Sequence, residues 1–127
     1  MDELGVVPIP PEDPDLLAAY EKAAKSLDGF IAELQQPDGR VMIVKAEVKS
    51  TNSQKIEYIW VENLSYERGK FTGTLANEPV DLGELVLGSK VTFDRKKVKD
   101  WYIDDGKSIK GNFTAPVMEK VQKSRGH

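Results

Sequence analysis

The sequence predicts an α+β domain: an N-terminal helix or helix pair packed on a strongly bent antiparallel sheet of five to six strands. Three observations carry that expectation. Apolar residues recur every three to four positions from Leu16 to Leu34, which marks a helix with one buried stripe. From Arg40 the period drops to two, the signature of a strand with one face in a core. Short strand-like runs separated by turn residues then continue to Thr114, and helices followed by strands is the α+β pattern. A sheet that bends this often has the means to roll into a partly closed small barrel.

The elements follow in order. Residues 1–12, with Pro8, Pro10 and Pro11, read as an extended lead-in. Asp13-Pro14 supplies an N-cap and a proline at the first helical position, and Glu12 and Asp15 favour the positive end of the helix dipole. Leu16, Tyr20, Ala23, Ala24, Leu27, Ile31 and Leu34 make the buried stripe of a helical segment over 13–36. Ser26 inside it has the chemistry to cap a second helix and bend the pair. Pro37-Asp38-Gly39 closes the segment as a turn.

The sheet region spans 40–114. In the first strand Met42, Val44, Ala46 and Val48 alternate with Ile43, Lys45, Glu47 and Lys49. Ile56–Leu64 is apolar on both faces and reads as a central strand. Glu67-Arg68-Gly69 turns into Lys70–Ala76, which Asn77-Glu78-Pro79 stops because Pro79 cannot donate to a ladder. Lys90–Asp94 is a short strand, Arg95–Lys99 a basic connector, and Asp105-Gly106 the turn of a final hairpin. A short helix over 116–123 and a loose tail over 124–127 complete a single globular domain of residues 13–123.

Composition bounds the function. The 127 residues are 39% apolar and 31% charged, the balance of a soluble globular domain. No stretch reaches the roughly 20 apolar residues of a membrane span, and the acidic, proline-rich start lacks a signal-peptide pattern. A cytoplasmic location is therefore expected. There is no cysteine, and the single histidine is His127, so thiolate metal sites and an imidazole base in the body of the fold are excluded. No cofactor or metal is implied. Residues 1–21 hold six acids and no base, whereas 90–110 hold seven Lys/Arg against four Asp.

Segments spread over Val41–Thr114 resemble the YegJ-like family of bacterial domains of unknown function. They are Ile59-Trp60-Val61, Phe71-Thr72-Gly73-Thr74-Leu75-Ala76-Asn77-Glu78-Pro79, and Leu87-Gly88-Ser89-Lys90-Val91-Thr92-Phe93. Asp100-Trp101-Tyr102, Asp105-Gly106 and Gly111-Asn112-Phe113-Thr114 complete the set. Their order and spacing carry the likeness. One position departs: relatives often have His before the Ile-Trp pair, where this chain has Tyr58. The resemblance implies a fold and a region of interest, and no activity, substrate or cofactor.

The candidate ligand-binding residues are Asn77, Glu78, Trp101, Asp104 and Asn112, expected to meet at one end of the sheet as two walls of a pocket. Each has a plainer reading. Asn77-Glu78-Pro79 can be a turn with Glu78 in solvent. Trp60 is expected in the core, while Trp101 divides between core and stacking platform. Asp100, Asp104 and Asp105 offer oxygen ligands to a hard cation, but their spacing departs from the EF-hand loop and fits turn formation better. Gly111-Asn112 marks either a bulge or a close approach by a ligand. Arg95-Lys96-Lys97-Val98-Lys99 before Trp101-Tyr102 admits single-strand binding, against an acidic whole.

The leading functional reading is a non-enzymatic binding or protein-interaction module, whose partner is a protein or a small polar ligand. The alternatives are a small hydrolase-type enzyme pairing Glu78 with an aspartate, and single-stranded nucleic-acid binding through Arg95–Lys99.

Overall fold

Asp13 begins the first element as its sequence dictates. Its carboxylate accepts from the backbone N–H groups of Asp15 at 2.9 Å and Leu16 at 3.1 Å, and Pro14 opens the helix. The computed structural model describes residues 13–36 and 39–119. Helix α1 runs unbroken over Pro14–Leu34, so of the two expected forms, one helix or a bent pair, the single helix is the one present. Ser26 does not cap a second helix. Its hydroxyl donates back to the Lys22 carbonyl at 2.7 Å and accepts the Trp101 indole N–H at 3.1 Å.

Six strands follow: β1 (Val41–Lys49), β2 (Ile56–Glu67), β3 (Lys70–Leu75), β4 (Lys90–Asp94), β5 (Val98–Asp104) and β6 (Ile109–Gly111). They form one antiparallel sheet in the order β4-β3-β2-β1-β5-β6. β4 and β6 are edges and do not pair, so the sheet stays open rather than closing into the partial barrel. β2 lies inside the sheet, as its two apolar faces predict. A 3₁₀ turn, Arg95–Lys97, joins β4 to β5. The polypeptide over 115–119 is helical. The expectations for 1–12 and 120–127, and for Pro37 and Asp38, lie outside the described residues.

Register decides what is core. Val44 pairs with Val61 and Trp101, and Ala46 with Ile59 and Val98, so these residues share the inner face. Ala23, Leu27 and Phe30 of α1 pack with them, together with Phe71, Leu75, Leu82, Phe93 and Ile103. Phe30 lies 5.3 Å from the Trp101 ring and 6.4 Å from Phe71, centroid to centroid. A smaller cluster of Leu16, Ala19 and Val117 ties the start of α1 to the C-terminal turn.

The two tryptophans lie on opposite faces of the sheet. Trp101 is 7% exposed and belongs to the core. Trp60 pairs with Lys45 on the opposite face and is partly exposed, which corrects the core assignment. Both follow from one alternation. With Ile59 and Val61 turned inward, Tyr58 and Trp60 must turn outward.

Candidate functional site on the outer sheet face

The outward set of β1, β2 and β5 is an unusual mixture for a solvated face. Lys45 stands opposite Trp60 on one side and Asp100 on the other, Glu47 opposite Tyr58, and Ile43 opposite Tyr102. The Trp60 and Tyr102 rings meet edge to face at 5.2 Å. The Lys45 ammonium sits 4.9 Å from the Trp60 ring centroid, within cation–π range. Burial pushes the Lys45 ammonium below its usual range, and the nearby Asp100 charge partly restores it.

Asp100 is fully buried, and its carboxylate accepts four hydrogen bonds. They come from the backbone N–H of Trp101 (2.8 Å), Phe113 (3.0 Å) and Thr114 (2.9 Å), and from the Thr114 hydroxyl (2.6 Å). The same Thr114 oxygen accepts from Lys45 Nζ at 3.1 Å. Lys45 is thus linked to Asp100 through a hydroxyl. Among the described residues, no carboxylate lies within ion-pair distance of its Nζ. A bulge between the Lys45–Asp100 and Ala46–Val98 pairs sets the spare residue, Lys99, beside this group.

Lys99 Nζ lies 5.4 Å from the Tyr20 ring and 5.6 Å from that of Tyr58, and 3.9 Å from Glu47. Tyr20 of α1 meets Tyr58 edge-on at 5.8 Å. Burial, then the neighbouring Tyr58 and Asp100, push the Tyr20 phenol up to about 12. A raised phenol is neutral in both folded and unfolded chains below pH 10, and ionises first in the unfolded chain above it. Tyr20 therefore contributes stability that is intact up to about pH 10 and is lost as pH rises towards 12. Tyr20→Phe is expected to flatten the alkaline fall in stability between pH 10 and 12, measured by urea unfolding at stepped pH. An unchanged slope would count against this assignment.

The five residues chosen from sequence are scattered about this group. Asn77 borders it: its side-chain oxygen accepts the Trp60 N–H at 3.1 Å, extending the β2 ladder. Glu78 is exposed and accepts from the Leu87 N–H at 3.4 Å, closing the loop before β4. Trp101 is in the core. Asp104 accepts from the Gly106 N–H at 2.9 Å, so it serves the hairpin turn. Asn112, at φ 59°, hands its N–H to the Trp101 carbonyl at 2.7 Å. Asn77 and Asn112 are separated by β2, β1 and β5, roughly 19 Å at about 4.8 Å per strand. A cleft of about 390 Å³ opens between Leu34, Arg40, Met42, Glu62 and Leu64, and takes in none of the five.

The two other patterns singled out from sequence resolve locally. Asp105 accepts from the N–H groups of Ser108 and Lys107, which hold its carboxyl below the usual range and spend it on the turn. No group of three or more potential metal ligands occurs among the described residues. In the basic run, Arg95 pairs with Asp28 at 2.7 Å, and Lys97 and Lys99 both reach Glu47. Those contacts occupy three of its four cations. Sequence reasoning missed Lys45, Tyr20 and Lys99 as neighbours. A lysine at mid-strand opposite a tryptophan was the available signal, and the pairing register was needed to read it.

Comparison with known proteins agrees with the resemblance drawn from the motifs. Residues 13–125 match the family described as "Uncharacterized protein conserved in bacteria (DUF2314)". The chain belongs to that bacterial family. It is also similar to "Uncharacterized protein YegJ" of Escherichia coli (strain K12), 27% identical over 96 residues, which is 76% of this chain and 61% of the relative. The matched region thus spans about three-fifths of that relative's length. No solved structure matches the chain. The matched segment includes α1, every strand and the outer-face group, so the site lies within the part shared with the family. No helix among the described residues is long and apolar enough to cross a membrane.

Proposed function

We propose that this family member is a non-catalytic binding module whose ligand stacks on the outer sheet face at Trp60 and Tyr102. The setting of Trp60 carries the reading. A large aromatic that could have supplied core burial is instead held partly exposed, its ring positioned by Tyr102 on one side and the Lys45 ammonium on another. Tyr58, 40% exposed, extends the aromatic row along β2, and Asn77 fixes the backbone at Trp60. Binding sites combine such aromatic surface with a few oriented polar groups.

The reading is tested with ¹⁵N-labelled protein titrated against neutral planar probes, indole and benzamide. Saturable shifts are expected at the Trp60 indole N–H, with the Trp101 indole, held by Ser26, unmoved. Tyr102→Ala should weaken the response read at Trp60, and Trp60→Ala should cost less stability than Trp101→Ala. Equal movement of both indoles, or none at Trp60 for any planar probe, neutral or anionic, would overturn the proposal.

A further inference from the structure

Lys45 is the group on this face whose chemistry is least used by the fold. An ammonium has three donors. One goes to the Thr114 hydroxyl and one side of the group faces the Trp60 ring. Asp100, the charge that offsets it, directs its own carboxylate to four other donors and makes no hydrogen bond to Lys45. The two remaining cations of the neighbourhood differ in this respect, since Lys97 and Lys99 share Glu47. Lys45 thus retains donor capacity and positive charge beside two partly exposed rings.

We infer that the outer face selects a small planar carboxylate, its ring against Trp60 and Tyr102 and its carboxylate on Lys45 Nζ. This rests on the stacking reading above and adds the ligand's charge to it. A carboxylate matches the site better than a larger anion. A single ammonium donates to one or two oxygens, whereas the bidentate grip that suits a phosphate needs an arginine fork, which Lys45 does not supply. A charge-assisted hydrogen bond in a partly desolvated position is also where a carboxylate gains most over its neutral amide.

The test compares benzoate with benzamide, which share a ring and differ in charge, by the Trp60 indole shift at low and moderate salt. Benzoate is expected to bind about tenfold more tightly than benzamide, the value of a single charged hydrogen bond net of desolvation. Lys45→Gln should erase that preference and Lys45→Arg should keep part of it. If Lys45→Gln fails to fold, the wild-type comparison still decides. Equal affinity for the two probes would overturn the carboxylate inference and leave the stacking site standing. Silence of both probes at Trp60 would remove both.

Discussion

Asp100→Ala is expected to destabilise the domain by about 3–5 kcal/mol, the range for stripping a buried charge network of one partner. Four donors converge on that carboxylate, and three belong to residues 113 and 114. Removing it strands the Phe113 and Thr114 N–H groups and leaves Lys45 without the buried charge that offsets it. It also unties the chain beyond β6 from β5, and with it Val117, which packs on Leu16 and Ala19. Urea unfolding measures the effect, with Asp104→Ala as the control. Asp104 accepts one exposed turn hydrogen bond and should cost about 1 kcal/mol or less. Equal losses for the two variants would mean that Asp100 is not the anchor.

Gly111→Ala is the second large effect, about 3 kcal/mol from a left-handed backbone and an obstructed side chain together. Gly111 has φ 82°, and a Cβ there would run into the Trp101 carbonyl oxygen and lie 2.7 Å from its indole ring. Gly88→Ala separates the two causes. Gly88 has φ 87° and open space around it, so its substitution carries the backbone strain alone, about 1 kcal/mol. The difference between the variants in thermal or urea unfolding reports the contact with Trp101. Matching losses would reduce Gly111 to an ordinary turn glycine. From the sequence, this glycine reads equally as a bulge or as room for a ligand. The group that needs the space is the chain's own Trp101.

Much of the architecture was legible because local chemistry settles it. Asp13-Pro14 fixes where α1 starts, since cap and proline act within one turn. Asp105-Gly106 fixes the last hairpin, where Gly106 takes φ 91° and both aspartates bond the turn backbone. Ser26 shows the limit of such reasoning. A serine inside a helical pattern has two uses, capping and back-bonding, and the choice fell to the Trp101 indole, 75 residues away in the chain.

The outer-face group was far less legible. Asp100 is one of three aspartates within six positions, and nothing local distinguishes it from the two that make the turn. Its partners at 113 and 114 come into reach only because β6 folds back on β5 and the chain then crosses the β5 edge. Lys45 and Trp60 are 15 positions apart and become neighbours through the β1–β2 register alone. A slip of one residue would have sent Trp60 into the core and Ile59 to the surface.

By itself, then, the sequence determined the kinds of element and their order, the start of α1 and the last hairpin, because helix period, strand alternation, caps and turns are properties of neighbours along the chain. Tertiary structure decided that the sheet stays open, that Trp101 is buried and Trp60 is not, and that Asp100 is an anchor. It also brought Lys45 and two aromatic rings to one place. The physical reason is that burial and pairing depend on which strand lies beside which. An alternating strand that is apolar on both faces does not say which of them meets the helix.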